Sequence, residues 1–109
     1  RYFTISSKST QVGYLAIGQA NSKHQKFDFY ILYSNNVTIL EVRVLTYREN
    51  YGFEICSKGW LNQFKLIETD NQFEYNSKID GISGATISVN SIKNEVFIST
   101  KELINLTNY

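Results

Sequence analysis

Phe27-Asp28-Phe29-Tyr30-Ile31-Leu32-Tyr33, then Ser34-Asn35-Asn36, then Val37-Thr38-Ile39-Leu40-Glu41-Val42-Arg43-Val44-Leu45-Thr46-Tyr47 is the stretch that sets the fold. Phe27, Phe29, Ile31 and Tyr33 recur at every second position, the period that brings side chains to one face of a strand. In the second run Leu40, Val42 and Val44 alternate with Glu41 and Arg43. Ser34-Asn35-Asn36 reads as a turn, because Asn tolerates positive φ and bonds its own backbone. Two β-prone runs around a short Asn turn predict a hairpin. Their half-polar alternation predicts an antiparallel sheet with one solvated face.

Working outward, Tyr2 to Ser6 and Val12 to Ala20 are further β-prone runs. The character changes after Arg48. Glu49-Asn50-Tyr51-Gly52 reads as a loop or a helix entry. Ser57 to Phe64 reads as a short helix capped by Ser57, with Trp60, Leu61 and Phe64 at helical spacing. Asn71 to Ile79 reads as irregular or as a short edge strand. From Ser83 onward the period turns helical. Ala85, Val89, Ile92, Val96 and Leu103 fall on one stripe, with Lys93, Asn94 and Lys101 off it. The class expected is α+β: an antiparallel sheet, mainly residues 12–47, packed against a long C-terminal helix plus one short helix. Val89, Ile92 and Val96 should then be buried against Phe27, Ile31, Leu40 and Val42, or against their neighbours on the sheet.

The chain has 109 residues and a formal net charge of +1, with 42% hydrophobic and 19% charged residues. That fits one domain over residues 1–109 and is too apolar for a disordered tail. The scattered Lys and Arg give no basic patch, so nucleic acid is not an expected partner. One cysteine, Cys56, excludes an internal disulfide framework and a zinc site built from cysteine pairs. One histidine, His24, excludes a multi-histidine metal site. No run of apolar residues is long enough to span a membrane as a helix. A chain beginning at Arg1 without an initiator methionine reads as a mature or excised domain.

The most informative segment for chemistry is Asp80-Gly81-Ile82-Ser83-Gly84-Ala85-Thr86-Ile87-Ser88, where a turn meets the start of the long helix. Ser83 reads as the N-cap, with Gly84, Ala85 and Thr86 in the first turn. Free N–H groups and the positive end of the helix dipole favour an anion there. Glycine at 84 removes a Cβ that would block close approach, and Thr86 adds a hydroxyl. Spacing alone leaves simple helix capping as the alternative.

These nine residues resemble the flavinylation motif of the FMN-binding domain family, which includes flavoprotein subunits of the sodium-pumping NADH:quinone oxidoreductase and small secreted proteins. Asp80, Ser83, Gly84, Ala85 and Thr86 match that motif, with Ile82 and Ser88 inside it. The paired strands around residue 35 resemble those of the family. Arg48-Glu49-Asn50-Tyr51-Gly52 resembles its Glu-x-x-Gly element, without the Pro often found there. Trp60-Leu61-Asn62-Gln63-Phe64 resembles its Trp-x-x-Gln-Phe element. The resemblance implies covalent FMN, held by a phosphoester bond to Thr86. It also implies a separate FMN transferase that uses FAD and magnesium and releases AMP. A threonine hydroxyl is a poor nucleophile unaided, and no base beside Thr86 is evident in the sequence.

On this reading the chain is an electron carrier and not a complete enzyme, since the redox chemistry belongs to the cofactor. Its partners would be the transferase and a redox protein or membrane electron-transport complex. Its place would be extracytoplasmic, whether periplasmic, secreted or membrane-anchored. The ring would lie towards the segment from Glu49 to Trp60. Tyr51 or Trp60 would flank one face, Gly52 would lie in the same element, and Glu49 or a backbone group would meet the polar edge. His24 reads first as a surface loop residue, with a flavin contact or a partnership with Glu49 as alternatives. Cys56 reads as a small buried or half-buried residue. The competing reading of the whole chain is a ligand-binding or assembly module of the same fold that carries no flavin.

Overall fold

The computed structural model describes residues 1–66 and 78–107. Four strands form one sheet in the order β1 (Tyr2–Ser7), β2 (Thr10–Asn21), β3 (Lys26–Ser34), β4 (Ile39–Thr46). Every neighbour is antiparallel. Beyond β4 come a 3-10 turn at Phe53–Cys56, the short helix α1 (Lys58–Leu61) and a second 3-10 turn at Asn62–Leu66. The chain then reaches the long helix α2 (Thr86–Thr107). The α+β architecture expected from the change of period is therefore the one observed. The segment expected to be irregular or an edge strand, residues 71–79, lies mostly outside the described residues.

The alternation in β3 sets the core. Phe27, Phe29, Ile31 and Tyr33 are all buried on the face towards α2. Opposite them on β2 stand small residues: Ala20 pairs with Phe27, Gly18 with Phe29 and Ala16 with Ile31. Small side chains there let α2 lie close over β2. The helical stripe Ala85, Val89, Ile92, Val96 and Leu103 is buried throughout. Polar contacts fix α2 along the sheet, among them the Tyr2 hydroxyl donating to Glu102 Oε1 at 2.8 Å. The Asn21 N–H donates to Ser91 Oγ at 2.7 Å, and the Tyr47 and Ser88 hydroxyls meet at 3.0 Å. Tyr33 Oη and Thr100 Oγ1 lie 2.9 Å apart. Because Thr100 donates its own proton to the Val96 carbonyl, Tyr33 is the donor. Burial pushes the Tyr33 phenol well above its ordinary pKa, so it keeps that proton.

Three details differ from the periodicity. Leu40 is 45% exposed and does not face α2. A register shift pairs Tyr33 with Ile39 but Leu32 with Glu41, so Leu40 is the extra residue of a bulge and Ile39 takes the buried position. In the turn before β4 it is Val37, not an Asn, that adopts positive φ. Ser34 organises that turn by accepting from the backbone N–H groups of Asn36 and Thr38 through its hydroxyl and of Val37 through its carbonyl. Lys93, placed off the helical stripe by its charge, is buried. Its pKa is lowered by burial, against which the nearby Asp80 carboxylate pulls upward. A long aliphatic stem allows a lysine to occupy such a position.

Candidate functional site

The end of β4 and the start of α2 are brought together by glycine. Gly52 has φ 80, and a Cβ built on it would stand closer than 3.0 Å to the Ala85 Cβ and 3.3 Å from the Tyr47 hydroxyl. No side chain fits there, which is the physical content of the glycine in Glu49-Asn50-Tyr51-Gly52. Ala85 fills the space from the other side and is buried.

Gly84 has φ 81, a left-handed backbone that helical residues do not adopt. The helix therefore begins after it, and the first α-helical bond runs from the Val89 N–H to the Ala85 carbonyl at 2.9 Å. Ala85 is the N-cap and Thr86 the first helical residue. Ser83 lies beyond the Gly84 turn and is not the cap expected from the sequence. Only Thr86, of the three residues assigned to the first turn, is in it.

Ala85 has no side-chain oxygen, so the N–H groups of Thr86, Ile87 and Ser88 lack both an intrahelical acceptor and a cap. The first turn also carries no acidic residue. Packing against Gly52 dictates alanine at the cap, and a Ser or Asp cap is given up at a cost of about 1 kcal/mol. The result is an uncompensated positive helix end beside an exposed threonine.

That helix end opens into a cavity of about 500 Å³. It is lined by Lys23 and His24 from the β2–β3 turn, by Tyr47, Glu49, Asn50 and Tyr51 after β4, and by Gly84 to Ser88. The volume falls in the range of small-molecule sites, roughly 300–1,000 Å³. Tyr51 is 76% exposed, leaving its ring available at the cavity. Thr86 and Ile87 are also exposed, whereas Ser88 is buried against Tyr47.

Glu49 lines the cavity and also ties down the β2–β3 turn. Its Oε2 accepts from the His24 N–H at 2.9 Å, the Gln25 N–H at 3.1 Å and the Ser22 hydroxyl at 2.8 Å. Ser22, buried, shares its one proton between Glu49 and the Gln25 carbonyl. The His24 N–H first, and then the Ser22 hydroxyl, hold the Glu49 carboxyl below its usual pKa. The alliance of His24 with Glu49 is real but uses the backbone N–H. Glu49 lines the cavity with its Oε2 engaged by the turn.

Trp60 does not line the cavity. Its ring is buried edge-on to Phe64 with centroids 5.6 Å apart. The Trp60 N–H caps onto Ser57 Oγ at 3.2 Å, as the sequence predicts. Its indole Nε1 donates to the Asp80 carbonyl at 3.0 Å, while the Asp80 N–H donates to Gln63 Oε1 at 3.0 Å. Gln63 Nε2 in turn donates to the Trp60 carbonyl at 2.9 Å. Trp60 and Gln63 thus clamp both backbone groups of Asp80 and fix the chain entering the Gly84 turn. Ile82 is buried, and its carbonyl accepts from the Ala85 N–H at 3.0 Å, closing that turn. Asp80, Ile82, Ser83 and Gly52 support the cavity from outside its lining. Cys56 is exposed, with its thiol pKa raised by partial desolvation.

The sequence reading missed Lys23, Tyr47, Asn50 and Ile87 as lining residues. Lys23 and His24 carried a signal in hindsight, as long polar side chains in the turn between β2 and β3. Tyr47 carried no such signal: the alternation through Val42 and Val44 leaves it out of phase, and a second register shift, between Asp28 and Phe29, brings it round to pack on Phe27.

The family model described as FMN-binding domain matches residues 23–97. No curated protein and no solved structure matches the chain.

Proposed function

The chain belongs to the FMN-binding domain family, and we propose that it carries FMN covalently, through a phosphoester bond to Thr86, as an electron-transfer module. The observation that supports this best is the position of Thr86: exposed, first in α2, and lining the cavity within Ser83-Gly84-Ala85-Thr86. The open N–H groups of Thr86 to Ser88 suit a phosphate. Tyr51 offers an aromatic face for the ring by stacking. The volume is sufficient, and the residues present fit the group.

Each residue has a definable task. Gly52 and Ala85 bring the loop and the helix end together. Gly84 turns the chain so that the helix starts with its donors uncovered. Trp60 and Gln63 hold Asp80, and through it the motif. Thr86 supplies the hydroxyl oxygen. The Glu49 oxygen nearest the turn is engaged by three donors, which supports a base supplied from outside the chain. A separate transferase using FAD and magnesium would form the bond, with AMP leaving. Bound FMN supplies the redox chemistry. The partner accepting or giving electrons would be a redox protein or a membrane electron-transport complex, and the domain would work outside the cytoplasm.

The test is peptide mass mapping over residues 80–93 after co-expression with a flavin transferase. The reading expects the adduct on Thr86 and an unmodified, folded Thr86→Ala protein. Flavin attached elsewhere in Thr86→Ala would end it.

A further inference from the structure

We propose that the Tyr47 hydroxyl donates a hydrogen bond to the phosphoester formed at Thr86, and that Ser88 is the positioning residue that holds Tyr47 for it. The inference rests on the reading above, that FMN is joined to Thr86.

Tyr47 and Ser88 line the same cavity as Thr86, and their hydroxyl oxygens lie 3.0 Å apart. Each hydroxyl has one proton to give and an oxygen that accepts. The bond between them uses one of the two protons. Among the described residues neither hydroxyl has a further partner, so the second proton has no acceptor within the chain. Ser88 is only 2% exposed, and a polar group buried that far is ordinarily satisfied. The pair formed by Tyr33 and Thr100, further along α2, shows the closed arrangement. There Tyr33 donates to Thr100, and Thr100 passes its own proton to the Val96 carbonyl. Among the described residues no carbonyl does this for Tyr47 and Ser88. A proton left over at the wall of a cavity selects a ligand that brings an acceptor.

The fold aims that proton at the helix end. Tyr47 packs edge-on to Phe27 and to Phe53, with centroids 5.5 and 5.7 Å away. Its hydroxyl lies 3.3 Å from where a Cβ on Gly52 would stand, and that same position meets Ala85, the N-cap. The phenol oxygen is therefore beside the end of α2 that carries the free N–H groups of Thr86 to Ser88. Ser88 is buried and Tyr47 half-buried. Ser88 accordingly donates inward to Tyr47 Oη, and Tyr47 turns its own proton to the cavity. A phosphoester joining Thr86 to the flavin keeps one negative charge on its two unesterified oxygens. Either oxygen accepts a charge-assisted O–H···O bond, and the bond from Ser88 polarises the donor further.

The experiment uses the full chain co-expressed with a flavin transferase, its attachment first read by intact mass. ³¹P spectra are then taken of the flavinylated parent, Tyr47→Phe and Ser88→Ala, folded and in urea. Tyr47→Phe keeps the ring against Phe27 and Phe53 and removes only the donor. It should move the phosphoester resonance of the folded protein towards its position in the unfolded chain. Ser88→Ala leaves the donor in place and should move it less. A folded Tyr47→Phe protein with the parent's resonance overturns the proposal, because a Tyr47 that only packs is replaced by phenylalanine without effect on phosphorus. A larger change in Ser88→Ala than in Tyr47→Phe also overturns it. Should Tyr47→Phe take up no flavin, the parent decides. Its Tyr47 ring carbon bearing the oxygen, followed by ¹³C spectra, should titrate at higher pH after attachment than before, and an unchanged titration overturns the proposal. A parent that gains no mass defeats the covalent reading and this proposal with it. A parent that gains mass while Tyr47→Phe leaves phosphorus unmoved defeats this proposal alone.

Discussion

Gly52→Ala probes the contact on which the site depends. Two costs add. Gly52 has φ 80, and an L-residue in the left-handed region costs roughly 1–2 kcal/mol. The new Cβ would also stand closer than 3.0 Å to the Ala85 Cβ, where carbon atoms prefer about 3.5–4.0 Å. The Ala85 Cβ is fixed to its backbone and cannot swing away, so backbone must shift, and overpacking of this kind costs about 1–3 kcal/mol. The sum is about 2–5 kcal/mol, a large share of the roughly 5–15 kcal/mol that holds a domain folded. Urea denaturation of parent and variant measures it. Ala85→Gly in the same chain removes the steric part but not the φ part. The double-mutant cycle should therefore return about 1–3 kcal/mol of coupling. A Gly52→Ala protein within about 0.5 kcal/mol of the parent, the range of ordinary surface substitutions, would refute the close approach of loop and helix end.

Trp60→Phe keeps the ring but removes the indole donor to Asp80. It should cost about 1–3 kcal/mol by leaving a carbonyl unpaired, and urea denaturation against the parent reads the loss. Glu49 titrates with a pKa below its ordinary value, so its hold on the turn is complete above the usual carboxylate range. That hold is lost as pH falls through the lowered value. Amide exchange at His24 and Gln25 should accelerate only below about pH 4.3, the unperturbed glutamate value, and acceleration already near neutrality would contradict the assignment. The β1–β2 turn places Lys8 and Ser9, both with positive φ, where Asn-Gly is preferred. Lys8→Asn with Ser9→Gly should stabilise by about 1 kcal/mol, measured as a raised urea midpoint at constant slope.

The parts of the fold visible in the sequence were those governed by local period. Phe27 to Tyr33 alternates because β3 is buried on one face, and Ala85 to Leu103 repeats because one side of α2 is buried. Ser57 declared itself as a cap because its hydroxyl serves a local N–H. What local pattern could not carry was decided by tertiary contact. Leu40 follows the alternation in sequence but sits in a bulge, and a bulge is a property of two strands. Ser83 has the better side chain for a cap, yet Ala85 takes the position because Gly52 packs on it from more than thirty residues away. Trp60 was one of two aromatic residues, with Tyr51, that the motifs offered to flank a ring. Its indole N–H is instead committed to Asp80. Glu49 and Thr86 were singled out from the motifs, but the role of Glu49 depends on a turn whose approach nothing in its own neighbourhood announces.

The most direct test of covalent attachment is the intact mass of the denatured chain after co-expression with a flavin transferase. Denaturation strips any flavin held only by contacts. The account predicts a gain equal to one FMN less one water in the parent, and no gain in Thr86→Ala. A parent of unmodified mass, from cells in which the transferase demonstrably flavinylates another protein, would contradict it.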